Sequence, residues 1–470
     1  MRCLLISLLL NVLFAGNAQT YNYYFGNLHA HTGFSDGNKD SLNSGVSRPD
    51  GSYTYAKLSN DFDFLGISEH NHYSNNNNPG FEIQNYTLGL NMANNANQDG
   101  VFAALFGMEY GVSSNYNGHV IIYGFNQLIG WEPGNYDIYN DKSDYDGLFR
   151  KVKNNPNAFC YLAHPYHTDF STNGSFSGAL AYLPYDQAYD SAIVGVPLRS
   201  GLAFSQADTY DDYSTGDYIS YYRQLLFKGY HLGIGYDHDN HYTNFGRSNG
   251  GRLVILAPSL SRANITDAMQ NMRFYGSDDS NAKIDFNMNG QVMGSVVQGT
   301  VYPTFQLIHN DPDGENADTI KLFRGSANTG TLWAEQVQIS TGNNTLQYTD
   351  YNLLMNKEYY YYAEIKQHDQ QLIVTSPIWY KGLAPLTLNE YSAEIQMLMY
   401  PNPSNGQVHL SVNCEASYKV KVVDTLGKEV YSLTCTKSPQ VLELEQLGKG
   451  VYILEVQTPN GKARRQLKLE

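Results

Sequence analysis

From Tyr21 to about Leu260 the chain alternates short apolar runs with polar, glycine-rich segments. Phe62 to Ser68, Val101 to Gly107, Val120 to Tyr123, Phe159 to Ala163 and Leu232 to Tyr236 are rich in Val, Ile, Phe and Tyr. Runs of that length and continuity predict strands buried on both faces. Tyr145 to Lys153 and Asp217 to Lys228 read as helices between them, an order that predicts an α/β fold, either a barrel or a layered sheet. Past residue 295 the pattern changes: Val301 to Ile308, Thr319 to Arg324, Leu332 to Ile339, Leu346 to Tyr348 and Tyr359 to Ile365 are strand-like runs between Asn, Gly and Asp turns. They predict a small β-sandwich. After a linker at 383–396, Lys419 to Val423 and Glu429 to Leu433 open a second all-β segment at 397–470.

Composition narrows the class. The chain has 470 residues, 42% of them hydrophobic and only 16% charged, with 40 tyrosines, which favours strands over a helical bundle. Its net charge is −15 without a block of like charge; a uniformly acidic surface repels phosphate backbones, so general nucleic-acid binding is not expected. Met1-Arg2, the apolar run Leu4 to Leu10 and the small residues Gly16 and Ala18 read as a signal peptide over 1–18, cleaved after Ala18. No later run approaches the ~20 apolar residues of a membrane helix. The mature chain carries Cys160, Cys414 and Cys435, so export permits a Cys414–Cys435 disulfide, with buried free thiols as the other reading.

The candidate chemistry sits where the runs end. His29 and His31, two apart at a strand end, point to the same side, and Asp36 follows. Glu69-His70-Asn71-His72 ends the next run, Glu109 the third; His119 opens the fourth, Ala163-His164-Pro165 ends the fifth, and Asp237-His238-Asp239-Asn240-His241 follows Tyr236. Imidazole and carboxylate ligands together suit Zn, Mn or Fe, and the lack of cysteine argues for an open catalytic site. His72 and His167 read as exposed loop histidines, and Glu69 as an outer partner of the ligands.

His-Ala-His-Thr with the downstream Ser35-Asp36-Gly37, then Phe64-Leu65-Gly66-Ile67-Ser68-Glu69-His70, Gly107-Met108-Glu109, Ala163-His164-Pro165 and Asp239-Asn240-His241 resemble the ordered motifs of the PHP (polymerase and histidinol phosphatase) metal-dependent phosphoesterases. Gly118-His119 and the segments Met272 to Gly276 and Asn289 to Gly294 are similar to the secreted CehA/McbA-like branch. The resemblance implies a distorted seven-stranded β/α barrel over 19–295 with two or three divalent metals, followed by two small all-β sandwich domains, 296–382 and 397–470. It implies that His29, His31, Glu109 and Asp239 hold one metal, with Glu109 bridging to another held by His119 and His164. His70 and His241, with Asp36, would hold a third or contact the substrate.

The expected function is that of a secreted metal-dependent hydrolase acting on small phosphoesters, diester or monoester, through a metal-bridging hydroxide. Glu109, His70 and His241 are its expected catalytic residues, with Arg247 as anion clamp, Arg199 and Arg223 being the other candidates. A carbamate or carboxylic ester hydrolase on the same centre and a non-catalytic surface binding protein are the alternatives. Met399-Tyr400-Pro401-Asn402-Pro403 through Gly461-Lys462-Ala463-Arg464-Arg465 resembles the type IX secretion sorting domain. That implies engagement of the type IX machinery and delivery to the cell surface or the medium.

Overall fold

The computed structural model describes residues 20–470 apart from 60–61, 73–80, 82, 113–116, 172–180, 210–216, 329–333, 384–394, 415, 426 and 460. The expected signal peptide and most of the expected linker therefore lie outside the described residues. The chain divides into two compact units, one ending at Ala384 and the other running from Pro385 to Glu470. The boundary expected at 295/296 thus falls inside the first unit.

A mixed fifteen-stranded sheet dominates the first unit. Asn22–Asn27, Phe64–His70 and Ala103–Tyr110 pair in parallel, as do Phe159–Ala163, Ile193–Ser200 and Gly233–Asp237. Between these two sets His119–Tyr123 runs antiparallel to both neighbours. On the other side Asn22–Asn27 pairs antiparallel with Arg252–Ala257, which leads through Phe274–Ser277 and Leu372–Thr375 into Glu358–Gln367. The central strands alternate between two buried faces: Leu65, Ile67, Phe106 and Leu162 face one apolar cluster, while Phe64, Leu105, Phe159 and Tyr161 face another. Burial on both faces is why these runs read as continuous apolar stretches.

The seven-stranded β/α barrel expected from the sequence does not form. The chain is 42% strand and 15% helix, arranged in several sheets, and among the described residues the large sheet has no closing ladder. Two physical reasons are visible. A β/α barrel needs successive parallel strands with a helix after each, and antiparallel pairs break the series here at both ends of Ala103–Tyr110 to Phe159–Ala163 and again at Arg252–Ala257. Where the edge strand Gly233–Asp237 curls toward Phe274–Ser277, the two backbones meet face to face without exchanging ladder bonds. A Cβ on Gly276 would stand 2.2 Å from the carbonyl oxygen of Gly235, so only glycine permits that approach.

A four-stranded sheet of Gln291–Val292, Lys283–Met288, Thr304–Asn310 and Thr345–Thr349 covers the far end of the large one. Its strands alternate buried and solvent-facing residues, and Phe286, Phe305 and Leu307 pack on Leu322, Tyr361 and Ile373 of the large sheet. The region read as a separate sandwich is thus built on the same sheet that carries the histidines. The second unit has its own core, Val408, Leu410, Val420, Val422, Leu442, Leu454, Val456 and Leu467, between a three-stranded and a four-stranded antiparallel sheet. Its cysteines Cys414 and Cys435 are both free thiols, as is the buried Cys160 of the first unit. Among the described residues no helix is long and apolar enough to cross a membrane.

Candidate metal centre

Residues from six separate stretches of chain converge at one end of the large sheet. His29 and His31 follow Asn22–Asn27, and a single bridge ties them to the last stretch: the His31 N–H donates to the Asn240 carbonyl at 2.9 Å. Asn27 Oδ1 accepts from the backbone N–H groups of both His29 and His238, at 3.2 and 3.1 Å, holding the two ligand-bearing segments in register. His70 closes Phe64–His70 directly opposite Glu109 in the neighbouring strand, and His119 is opposite Ala163, one residue before His164. Adjacent strands thus deliver their donors side by side.

Glu109 is the hub. One carboxylate oxygen lies 3.2 Å from His29 Nε2, 2.7 Å from His119 Nδ1 and 3.3 Å from His164 Nε2; the other lies 3.2 Å from His31 Nε2 and 3.0 Å from His70 Nδ1. Asp239 Oδ1 stands 3.1 Å from Nε2 of both His29 and His31. Asp36 Oδ1 faces His241 Nε2 at 3.1 Å and His70 Nε2 at 3.5 Å. Four overlapping donor groups result: His31, Asp36, His70 and His241; His29, His31 and Asp239; His29, Glu109 and His164; His70, Glu109 and His119. All nine residues expected as ligands are therefore brought together.

The donor chemistry fits metal ions. Glu109, His29 and His31 are fully buried, and despite these short contacts His29 Nε2, His70 Nδ1, Asp36 Oδ1 and Glu109 Oε2 make no well-aligned hydrogen bond. One carboxylate cannot accept well-aligned hydrogen bonds from five imidazoles at once, and leaving buried polar atoms unsatisfied costs about 1–3 kcal/mol apiece. Cations seated among these atoms resolve the conflict. The electrostatics agree: burial pushes the Glu109 carboxyl up, but His119, His29 and His70 outweigh it and hold the group well below its usual range. Burial likewise opposes the charge on His31, yet Asp239 and Glu109 raise it to about 10. His70 goes the other way, kept neutral chiefly by burial.

An outer layer fixes the inner one. Asp237 Oδ2 sits 3.3 Å from His29 Nδ1, leaving Nε2 to face Glu109 and Asp239. Glu69 accepts the Thr32 N–H at 3.0 Å and the hydroxyls of Thr32 and Ser35, anchoring the loop that carries Asp36; burial pushes its carboxyl up to about 6. His164 (φ 28°) and Asp239 (φ 51°) hold left-handed backbone conformations that side-chain-bearing residues rarely adopt, a strain that collects at functional sites. His238 turns away, its ring nitrogens at the Gly251 carbonyl (2.7 Å) and Ser248 hydroxyl (3.2 Å).

The donors open into a cavity of about 830 Å³ walled by Trp131, Phe204, Tyr218, Ser200 and Lys142, among others. Two expectations need correction there. Arg247 does not line it: its backbone is held in the turn after His241, the N–H donating to the Asn244 carbonyl at 2.8 Å. Nor do Arg199 and Arg223, which are committed to Asp278 (2.6 Å) and to Glu364. The cation of the lining is Lys142. His72, expected as an exposed loop residue, is 9% exposed, lines the cavity and stacks on Trp131 with centroids 6.1 Å apart. His167 is half-buried beside Tyr166. Lys142 was not expected as a site residue; Asp237, which competed in the sequence with Asp239 for the last motif, stands instead behind His29.

Residues 398–470 match the family of the secretion system C-terminal sorting domain. The second unit is thus a type IX secretion sorting domain, which directs the chain to the cell surface or beyond. No curated protein matches the chain. Among solved structures, the chicken CNTN1 FN1–FN3 domains are 12% identical over 37% of this chain and 63% of that one, with a TM-score of 0.15. The titin I-band fragment I67–I69 is 13% identical over 40% of this chain and 65% of that one, also with a TM-score of 0.15. The chain therefore spans just under two thirds of each, and the first unit is read from its own residues.

Proposed function

We propose that the first unit is a metal-dependent hydrolase of small phosphoesters, exported and delivered by its sorting domain. The observation that carries the reading is the crowding of five imidazole nitrogens and two further carboxylates around Glu109. The ordered His-x-His, Ser-Glu-His, Gly-x-Glu, Ala-His-Pro and Asp-x-His motifs, which resemble those of PHP phosphoesterases, support it. His29, His31, Glu109 and Asp239 would hold one divalent Zn, Mn or Fe ion; Glu109, His119 and His164 a second; Asp36, His70 and His241 a third.

Such ions supply Lewis-acid polarisation of the scissile group and acidify water at neutral pH. The protein's own groups do the rest. Asp237 fixes the tautomer of His29, and Glu69 fixes the loop bearing Asp36. Lys142 on the cavity lining attracts an anionic oxygen, while Trp131, Phe204 and Tyr218 offer apolar surface to the leaving group. His241 lines the cavity with Nδ1 2.9 Å from the Asp239 carbonyl and Nε2 3.1 Å from Asp36 Oδ1, and when not engaged as a ligand its Nε2 could pass a proton to the departing alkoxide.

A second reading, hydrolysis of carbamates or carboxylic esters, is favoured by one feature: Lys142 is the lone Lys or Arg among the described lining residues. A doubly charged phosphomonoester ordinarily meets arginine forks. One experiment separates the readings. Metal is quantified in the purified protein, and the same sample is assayed on phosphodiesters, phosphomonoesters, carbamates and carboxylic esters. Two to three transition metals per chain with phosphoester turnover supports the first reading, ester turnover alone the second. Less than one metal per chain overturns both in favour of a binding scaffold.

A further inference from the structure

The groups of metal donors are not electrically alike. Among the described residues Glu109 and Asp239 form ion pairs with histidines only. Asp36, the one carboxylate of the group His31, Asp36, His70 and His241, is shared with a lysine: Oδ1 faces His241 Nε2 at 3.1 Å, and Oδ2 lies 3.5 Å from Lys39 Nζ. The lysine is held there from two further sides. Its backbone N–H donates to the His241 carbonyl at 3.0 Å, and its ammonium stands 5.3 Å over the ring of Phe204, which itself packs on the His241 ring with centroids 4.7 Å apart. A cation over an aromatic face is attracted to it, so Lys39 keeps its charge beside Asp36. A divalent ion entering this group is repelled by that resident charge, and the lysine already neutralises part of the group's one carboxylate.

The same group also competes for an imidazole. His70 Nδ1 lies 3.0 Å from Glu109 Oε2, and Nε2 lies 3.5 Å from Asp36 Oδ1, so His70 belongs both to the group of Glu109 and His119 and to that of Asp36 and His241. A neutral imidazole has one lone pair, its other ring nitrogen carrying the proton. His70 therefore ligates on one side at a time, and its closer approach is to Glu109. An ion held by Glu109, His119 and His70 leaves the Asp36 group a ligand short.

We propose, resting on the metal-centre reading above, that Lys39 makes the Asp36 position a weak and exchangeable one: two ions stay with the protein, and a third binds only where the metal is abundant. Lys39 acts through Asp36, setting the affinity of this position by its charge, while the shared His70 adds to the difference. Occupancy of the third position then follows the metal concentration around the protein, whereas the two positions built on Glu109 and Asp239 remain filled.

The test is Zn²⁺ binding to the full chain after its metal has been removed, read by elemental analysis after gel filtration for the tight ions and by calorimetric titration for the weak one. The parent chain keeps two ions through gel filtration and binds a third at least about 100-fold more weakly. Lys39→Met and Lys39→Gln each tighten the third ion by at least about tenfold, Lys39→Arg leaves it weak, and none of the three changes the first two. Asp36→Asn abolishes the third and keeps the two. The pair of uncharged variants covers the case in which one of them does not fold. A third ion held as tightly as the other two in the parent chain, or a third-ion affinity unchanged by Lys39→Met and Lys39→Gln, overturns the assignment and leaves the two-metal centre standing. Fewer than two tightly held ions in the parent chain instead removes the metal-centre reading, and the role of Lys39 with it.

Discussion

At Glu109 a single side chain is asked to satisfy five imidazoles, and that fixes what its removal does. Glu109→Ala takes away a ligand shared by at least two donor groups, so metal content falls by one ion or more per chain and hydrolysis drops by at least about 100-fold. Elemental analysis with turnover on the best phosphodiester checks both; full metal occupancy and full rate in the variant would sink the assignment. Asp237 makes a finer test because it touches His29 and not the cavity. Asp237→Asn leaves the fold intact but weakens metal binding by about 10–100-fold, read by competition with a chromophoric chelator. The clustering of the candidate donors was legible in the sequence because most of them stand beside an apolar run, and neighbouring strands must align their ends. Asp237 was not, since within Asp237-His238-Asp239 nothing local tells an inner from an outer carboxylate. Arg247 failed for a related reason: it lies in an irregular turn, where no period fixes the direction of a long side chain.

Elements read from local pattern held where the pattern was local. Tyr145–Lys153 is a helix, its N-terminus capped by Asp144, which accepts the Gly147 N–H at 2.9 Å, and Phe159–Ala163 is a strand with the expected bounds. Pairing direction was not legible: a buried apolar run looks alike in parallel and antiparallel neighbours, so the reversal at His119–Tyr123 and the open edge at Gly235 and Gly276 had no signal in the composition. One joint between elements carries a pH signature. His231, just before Gly233–Asp237, lies 3.1 Å from Asp190, at the end of the helix Gln187–Asp190, and 3.2 Å from Glu358 of Glu358–Gln367. Burial disfavours its charge, but these two carboxylates win and raise it to about 9. Because the folded value exceeds the unfolded one, the contribution is fully present below about pH 6.5 and fades as pH rises through about 9. Glu358 stays partly solvated, so about 1–2 kcal/mol is expected. His231→Gln should flatten the stability profile between those values in urea titrations; an unchanged slope would remove His231 as its source.

For the whole molecule, the division at Ala384 and Pro385 separates the histidine cluster from the sorting domain. The second unit closes its own core with Val408, Leu410, Val420, Leu454 and Leu467, and among the described residues none of the donor groups for a metal draws on it. The first unit likewise completes its sheets and cavity with residues before Ala384. Two units with separate cores unfold as separate transitions unless an interface couples them. A chain ending at residue 383 should therefore keep the metal content of the full chain and its rate on phosphoesters within about twofold, since no donor is lost. In a host with a type IX system the same truncation should abolish delivery to the surface or the medium, and the protein should accumulate inside the envelope, where fractionation with the metal assay detects it loaded. If the truncated chain instead lost metal or unfolded in one step with the tail, the second unit would be part of the catalytic body, and the reading of 398–470 as address alone would fall.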